Sequence, residues 1–268
     1  PAAPETPAAQ DVKERYDAIK GSAVNPVLRE GNSDRRAPNS VKAYARKHPH
    51  PMGAWSPESK SHVANMSRGD FYGSERSLTL DRACNARIMF TAATGETTLL
   101  KSDTPLLDGE IIDAAVMSRR ELRAFIKAEI EDAKAKDVLF SVHLKATMMK
   151  ISDPIIFGHF VSVFFQPVLE KHAATLAELG FDTGHGLGDL ASKIEALPEA
   201  LRAEIEADIQ ACYDSQPDLA MVNSDKGITN LHVPSDIIID ASMPAAIRAS
   251  GQMGGPDGLQ KDTKFVIP

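Results

Sequence analysis

Three places in this 268-residue chain carry residue types at spacings that could do chemistry. In the first, Ser22, Asn25 and Arg29 stand three and four residues apart, and Arg35 and Arg36 follow across Gly31-Asn32. Asn25-Pro26 reads as a helix start, because Asn accepts from free backbone N–H groups and Pro in the first turn needs no donor. Residues 22, 25 and 29 then share one helical face, and the Gly31-Asn32 stop brings Arg35 and Arg36 back from the far side. Guanidiniums beside hydroxyl and amide donors suit a small ligand with several carboxylates, since each Arg fork matches a carboxylate bidentately. The plainer reading is a solvated Arg-rich loop.

The second place is Lys145, at the end of an apolar strand over residues 138–145, where α/β sheets carry their working residues. It reads either as an amine that moves protons or as a lysine whose stem lies along apolar surface and reaches water. The third is Asp240, directly after Ile237, Ile238 and Ile239. A carboxylate closing such a run is costly unless it is paired or bound to a cation; Mg²⁺ or Mn²⁺ fits an oxygen ligand. Its alternatives are a salt bridge or a cap on a helix near Pro244.

Composition narrows the classes. A formal net charge of −7 argues against nucleic acid as the main partner. The basic island at residues 29–50 fits a small-anion pocket better than a polyanion track. A nucleic-acid-binding arm there would show oligonucleotide affinity that collapses steeply with salt. Cys84 and Cys212 fit no zinc or redox spacing, so they read as reduced thiols in a cytoplasmic protein. The most apolar stretch, residues 155–169, is broken by His159, Gln166 and Pro167 and does not span a bilayer. His48-Pro49-His50 has no third ligand nearby in sequence. The glycines of residues 184–188 read as a helix–helix turn and match no dinucleotide fingerprint, so no cofactor-binding residue is assigned. His143 and His232 read as satisfied core or surface histidines.

The elements that must position these groups follow from periodicity. Residues 1–10 are Pro/Ala-rich and read as extended. Residues 69–74 read as a loop with an anchored aromatic pair. A β-hairpin is predicted around Thr94-Gly95-Glu96. Ser118 to Glu121 is a capping box that opens an amphipathic helix ending at Asp137. A helix from Ser152-Asp153-Pro154 runs toward Leu179, bent at Pro167 and stopped at Gly180. Two more helices surround Leu190 and Ile205. Residues 219–222 and 237–239 read as buried strands, and Ser242-Met243-Pro244 as a helix start. Strands alternating with helices predict an α/β fold, a mostly parallel sheet flanked by helices with a small β-hairpin region. The last residues, Phe265 to Ile267, read as a strand entering something further.

Long strings add a resemblance. GSAVNPVLREGNSDRRAP with SVKAYARKHPH, HLKATMMKISDP at 143–154, MVNSDKGITNLHVPSD at 221–236 and IIIDASMPAAIR at 237–248 together resemble the monomeric-type NADP-dependent isocitrate dehydrogenases. The resemblance runs from about Asp11 onward. It implies a fold like that of the isocitrate/isopropylmalate dehydrogenases. It implies oxidative decarboxylation of isocitrate to 2-oxoglutarate with NADP and Mg²⁺ or Mn²⁺, in the tricarboxylic acid cycle and glyoxylate bypass, by a monomer. It assigns Ser22, Asn25, Arg29, Arg35 and Lys145 to isocitrate, Lys145 also to proton handling, and Asp240 to the metal. Residues 1–34 become an N-terminal extended or helical segment, and 35–268 an α/β domain within the large domain of a longer enzyme. The rival expectation is an inactive isolated domain that binds a tricarboxylate without turnover.

Overall fold

The computed structural model describes residues 12, 38–49, 53–145, 149 and 151–268. Ser22, Asn25, Arg29 and Arg35 lie outside the described residues. The chain divides into two compact units, Pro1–Met52 and Gly53–Pro268. In the first, helix α1 (Asn39–Lys47) places Arg46 and Lys47 in its last turn, where cations suit the helix dipole. His48 stacks on Tyr44 at that end, with ring centroids 4.3 Å apart.

The second unit runs in the order β1 (His62–Ala64), α2 (Phe71–Ser74), β2 (Arg76–Thr79), β3 (Cys84–Thr91), β4 (Thr97–Leu106), β5 (Ile111–Ala114), α3 (Arg119–Lys136) and β6 (Leu139–Val142). It continues through α4 (Ser152–Phe164), α5 (Gln166–Lys171), α6 (Ala173–Glu178), α7 (Leu187–Ile194) and α8 (Glu199–Ser215). The last elements are β7 (Met221–Asn223), β8 (Ile228–Thr229), α9 (Ile239–Arg248), β9 (Gln252–Gly254) and β10 (Gln260–Val266).

The sheet that matters for the site is centred on β10. It pairs in parallel with β1 on one side and β6 on the other, while β9 joins its first half antiparallel. Beyond β6, parallel bridges join Phe140 to Leu219 and Leu144 to Ile238. The strand expected over 138–145 therefore pairs regularly only at 139–142 and once more at Leu144. Helices flank the sheet: Phe140 of β6 meets Phe160 and Phe164 of α4 at centroid distances of 6.2 and 6.5 Å. Leu122, Ile126, Ile130 and Ala133, the apolar stripe of α3, are buried in the same core. The fold is the mixed α/β class expected, a parallel sheet flanked by helices, with β3–β4 as a hairpin and β2–β5 as a second antiparallel pair.

Local predictions meet the structure unevenly. Ser118 accepts from the backbone of Glu121 and caps α3, and Asp137 closes the helix in the left-handed region at φ 54°. Only half of the capping box forms. Ser118 N–H donates to Gly69 O at 2.7 Å, and the Glu121 carboxylate turns to Arg68 at 3.0 Å. The long helix of 152–179 is three segments, broken at Phe165 and again at His172. Pro167 explains the first break, since its ring clashes with the carbonyl four residues back and it has no N–H to continue the ladder. Phe71 and Tyr72 are not anchored; both are exposed, Tyr72 at 90%. Residues 237–239 are not a strand. Ile237 ends a 3₁₀ turn (Pro234–Ile237), Ile238 makes one bridge, and α9 has begun by Ile239. The helix thus starts before Pro244, which sits inside it.

Lys264, on the central strand, has a side chain only 1% exposed. Its ammonium pairs with Glu129 and Asp132 on α3. Hydrogen bonds from Lys136 and Lys264 hold Asp132 down at about 2. This ties sheet to helix through charge, in a place where a bare ammonium could not stay. Lys264→Ala is expected to destabilise the fold by about 2–3 kcal/mol in urea unfolding, at the low end for a broken buried pair because both carboxylates see solvent. A midpoint unchanged from that of the parent chain would contradict this.

Candidate active site

Lys145 and Asp240 come together because two segments share a parallel bridge. Leu144 N–H donates to Ile237 O at 2.9 Å, and Ile239 N–H donates to Leu144 O at 2.8 Å. The next residue on each segment is Lys145 and Asp240 respectively, and the Lys145 ammonium donates to Asp240 Oδ2. Asp240 lies in the first turn of α9, where a carboxylate is favoured by the free N–H groups and the dipole. Its side chain is 50% exposed and that of Lys145 31%. The picture of a carboxylate stranded at the end of a buried run is corrected: Asp240 faces solvent at the rim of the sheet end.

Lys145 is held at its backbone too. Its N–H donates to Asp153 Oδ2 at 2.6 Å, and Ser152 Oγ donates to Asp153 Oδ1 at 3.0 Å. Asp153 is buried in the first turn of α4. Sequence reading treated Ser152-Asp153-Pro154 only as a helix start. That the carboxylate reaches back eight residues to the lysine N–H is a tertiary contact that no sequence spacing encodes.

Beneath the pair lies a buried polar chain. His143 Nδ1 is 2.6 Å from Ser242 Oγ, and Nε2 is 2.8 Å from Ser141 Oγ. Asn230 Nδ2 donates to Ser141 Oγ at 2.9 Å and Ser141 Oγ donates to Met253 Sδ at 3.2 Å. With the Ser141 proton directed to sulfur, Nε2–H donates to Ser141 and Ser242 O–H donates to Nδ1, a tautomer assigned from the network. His143 precedes Lys145 by two residues and Ser242 follows Asp240 by two. Their bond is a second clamp across the same two segments. His143 is thus the satisfied core histidine expected from sequence, and its position behind the pair is what the structure adds.

Burial pushes the His143 imidazole down to about 4, so it is neutral near pH 7. The unfolded chain binds that proton near pH 6.5, the folded one only near 4. Stability from this group is therefore complete above about pH 6.5 and falls as pH drops toward 4, by up to about 3 kcal/mol. Urea unfolding of the chain between pH 7 and 4 should show that slope, and His143→Gln should flatten it. An equal slope in the variant would remove His143 as its source.

A metal reading of other residues finds little. His172, Glu204 and Asp208 cluster closely enough for a cation. Lys171 Nζ already lies 2.9 Å from Glu204 and 2.8 Å from Asp208, and His172 Nε2 lies 2.6 Å from Asp208, so the charges are answered within the cluster. Among the described residues no such group includes Asp240. Cys84 is exposed and Cys212 buried, and both are free thiols. Gly184 lies in the turn between helices and Gly186 closes it at φ 83°, where a side chain would strike His232 O, while Gly188 is already inside α7. No described helix is long and apolar enough to cross a membrane.

An amine and a carboxylate at one end of a parallel sheet, held by backbone bonds from both flanking segments, define an α/β protein with a charged site at the sheet end. The family model for monomeric isocitrate dehydrogenase matches residues 1–268, and the chain belongs to that family. It is 65% identical over 268 residues to isocitrate dehydrogenase (NADP) 2 of Colwellia maris and 64% identical to isocitrate dehydrogenase (NADP) of Azotobacter vinelandii. The corresponding enzyme of Mycobacterium tuberculosis, isocitrate dehydrogenase (NADP) 2, is 54% identical. In each case all of this chain is covered and 36% of the relative, so the chain spans about a third of the length of these relatives. A crystal structure of isocitrate dehydrogenase from Ostreococcus tauri, in complex with isocitrate and magnesium(II), aligns at 12% identity with a TM-score of 0.41, over 82% of this chain and 40% of that one. That likeness is too slight to carry an argument about this chain.

Proposed function

We propose that this chain is part of an enzyme that oxidises isocitrate with NADP and releases CO₂ to give 2-oxoglutarate. Lys145 serves as proton carrier and Asp240 as one ligand of a divalent metal. The observation that carries the reading is the Lys145–Asp240 pair, in a chain that belongs to the monomeric isocitrate dehydrogenase family. The resemblance of their string to the monomeric isocitrate dehydrogenases assigns Ser22, Asn25, Arg29 and Arg35 to isocitrate, and their donor types suit its carboxylates. Residues 1–34 are read as a segment separate from the domain of residues 35–268. The complete enzyme is read as a cytoplasmic monomer.

A carboxylate oxygen is the donor type that Mg²⁺ or Mn²⁺ takes. Asp240 offers a hard, solvent-accessible oxygen that the Lys145 ammonium must vacate when a metal binds. One carboxylate is not a full set, and the remaining oxygens belong to substrate, water and the rest of a longer chain. When bound, such a metal supplies Lewis-acid polarisation of the substrate oxygen, and NADP supplies hydride acceptance. The work of the chain's own residues is simpler. Asp153 fixes the backbone of Lys145, so the amine swings from a set point. Asp240 orients that amine until ligands arrive. Lys145 then carries a proton to or from the substrate oxygen at the reacting carbon. The arginines bind and orient the carboxylates and keep the reacting carbon in reach.

A second reading, tricarboxylate binding without turnover, is favoured by one observation: a single carboxylate at the metal position among the described residues. NADPH formation by the purified 268-residue chain with isocitrate and Mn²⁺ separates the two for this chain. In the complete enzyme, Lys145→Met is expected to lower kcat by roughly 10²–10⁴-fold while the KM for isocitrate changes little. Unchanged kcat in steady-state assays would reject the proton role.

A further inference from the structure

On the helical layer a cleft of about 290 Å³ opens between α3, α4 and the turn at Thr183–His185. Arg119 and Arg123, one turn apart at the start of α3, line one wall; His159 lies opposite on α4. Neither guanidinium has a hydrogen-bond or ion-pair partner among the described residues. Burial, and to a lesser extent the charges of Arg123 and Arg119, push His159 down from its ordinary value. The two arginines therefore bear on the same ring.

This arrangement is electrostatically unfavourable as it stands. Arg119 in the first turn opposes the helix dipole, and Arg123, one turn further on, faces the same cleft. Asp182 is the acidic side chain in the lining, and its Oδ1 is taken by Gly184 N–H at 2.8 Å. The floor is close-built: a Cβ on Gly158 would meet Thr183 Oγ1 at 2.9 Å and Gly184 N at 3.0 Å. The volume lies at the small end for ligand sites, so it suits a compact group.

We infer that this cleft binds an oxyanion, a phosphate or carboxylate group, clamped between the Arg119 and Arg123 forks over the Gly158 floor with His159 as third contact. An anion there answers the two unpaired charges and gives the imidazole a partner for its protonated form. The cleft borders the first turn of α4, through Pro154, next to the Asp153 that holds Lys145. The oxyanion comes either from a free small molecule or from an acidic side chain in the longer protein. The inference needs no turnover and stands apart from the proposed catalytic roles.

The test titrates inorganic phosphate at low salt into the 268-residue chain, read by calorimetry and by the His159 ring resonances. Saturable binding is expected, with the His159 resonances moving in step. Arg119→Gln with Arg123→Gln should weaken binding by about tenfold or more, and each single change by less. Binding in both the chain and the complete protein identifies a free anion. Binding in the chain that is lost in the complete protein identifies a protein carboxylate as the occupant. No saturable binding to the chain, or binding untouched by the double substitution, would overturn the inference.

Discussion

Two backbone hydrogen bonds, Leu144 N–H to Ile237 O and Ile239 N–H to Leu144 O, are the constraint on which the site depends. Among the described residues they are the whole of the backbone pairing between the two segments. Without them only the side-chain bond of His143 to Ser242 would hold residue 145 near residue 240. With them, the chain direction of both segments is set, and the next residue on each projects from the same end of the sheet. A parallel bridge does this where an antiparallel one would send the two side chains to opposite ends.

So short a bridge needs support, and it comes from buried polar groups. His143 and Ser242 bond across the same segments one step further in, and Asn230 donates to Ser141 and to Val142 O. Asp153 fixes the backbone of Lys145 from α4. Ser141, His143, Asn230 and Asp153 are buried and partnered, as low-dielectric surroundings require, and Ser242 is half-buried. Asn230 Oδ1 is the exception, a buried acceptor with no partner among the described residues. The charged pair itself stays at the rim, half in water. The scaffold is thus rigid where the reacting groups are attached and open where they would meet a ligand.

Much of this was legible in the residues. The apolar run of 138–144, the Ser118 cap, the Asp137 and Gly180 stops and the hairpin near Gly95 are local features, and local rules read them well. The α/β class followed from their alternation. The failures were tertiary. Three isoleucines at 237–239 look like a buried strand, yet a single bridge at Ile238 meets the backbone's needs and the helix begins at once. Asp240 is therefore a first-turn residue in solvent. The half-formed capping box failed because Gly69 O competed for the Ser118 N–H. The bond from Lys145 N–H to Asp153 and the cleft shared by Arg119, Arg123 and His159 depend on elements meeting in space, and no spacing encodes them.

The central claim is that the rim pair marks where a divalent cation and a hydroxy-acid substrate meet. Paramagnetic broadening by Mn²⁺ in the presence of isocitrate tests it directly, because the effect falls steeply with distance from the ion. The account predicts that the backbone amides of Ile239, Asp240 and Lys145 broaden first. Broadening centred on His172 and Asp208, with Ile239 and Lys145 untouched, would contradict it.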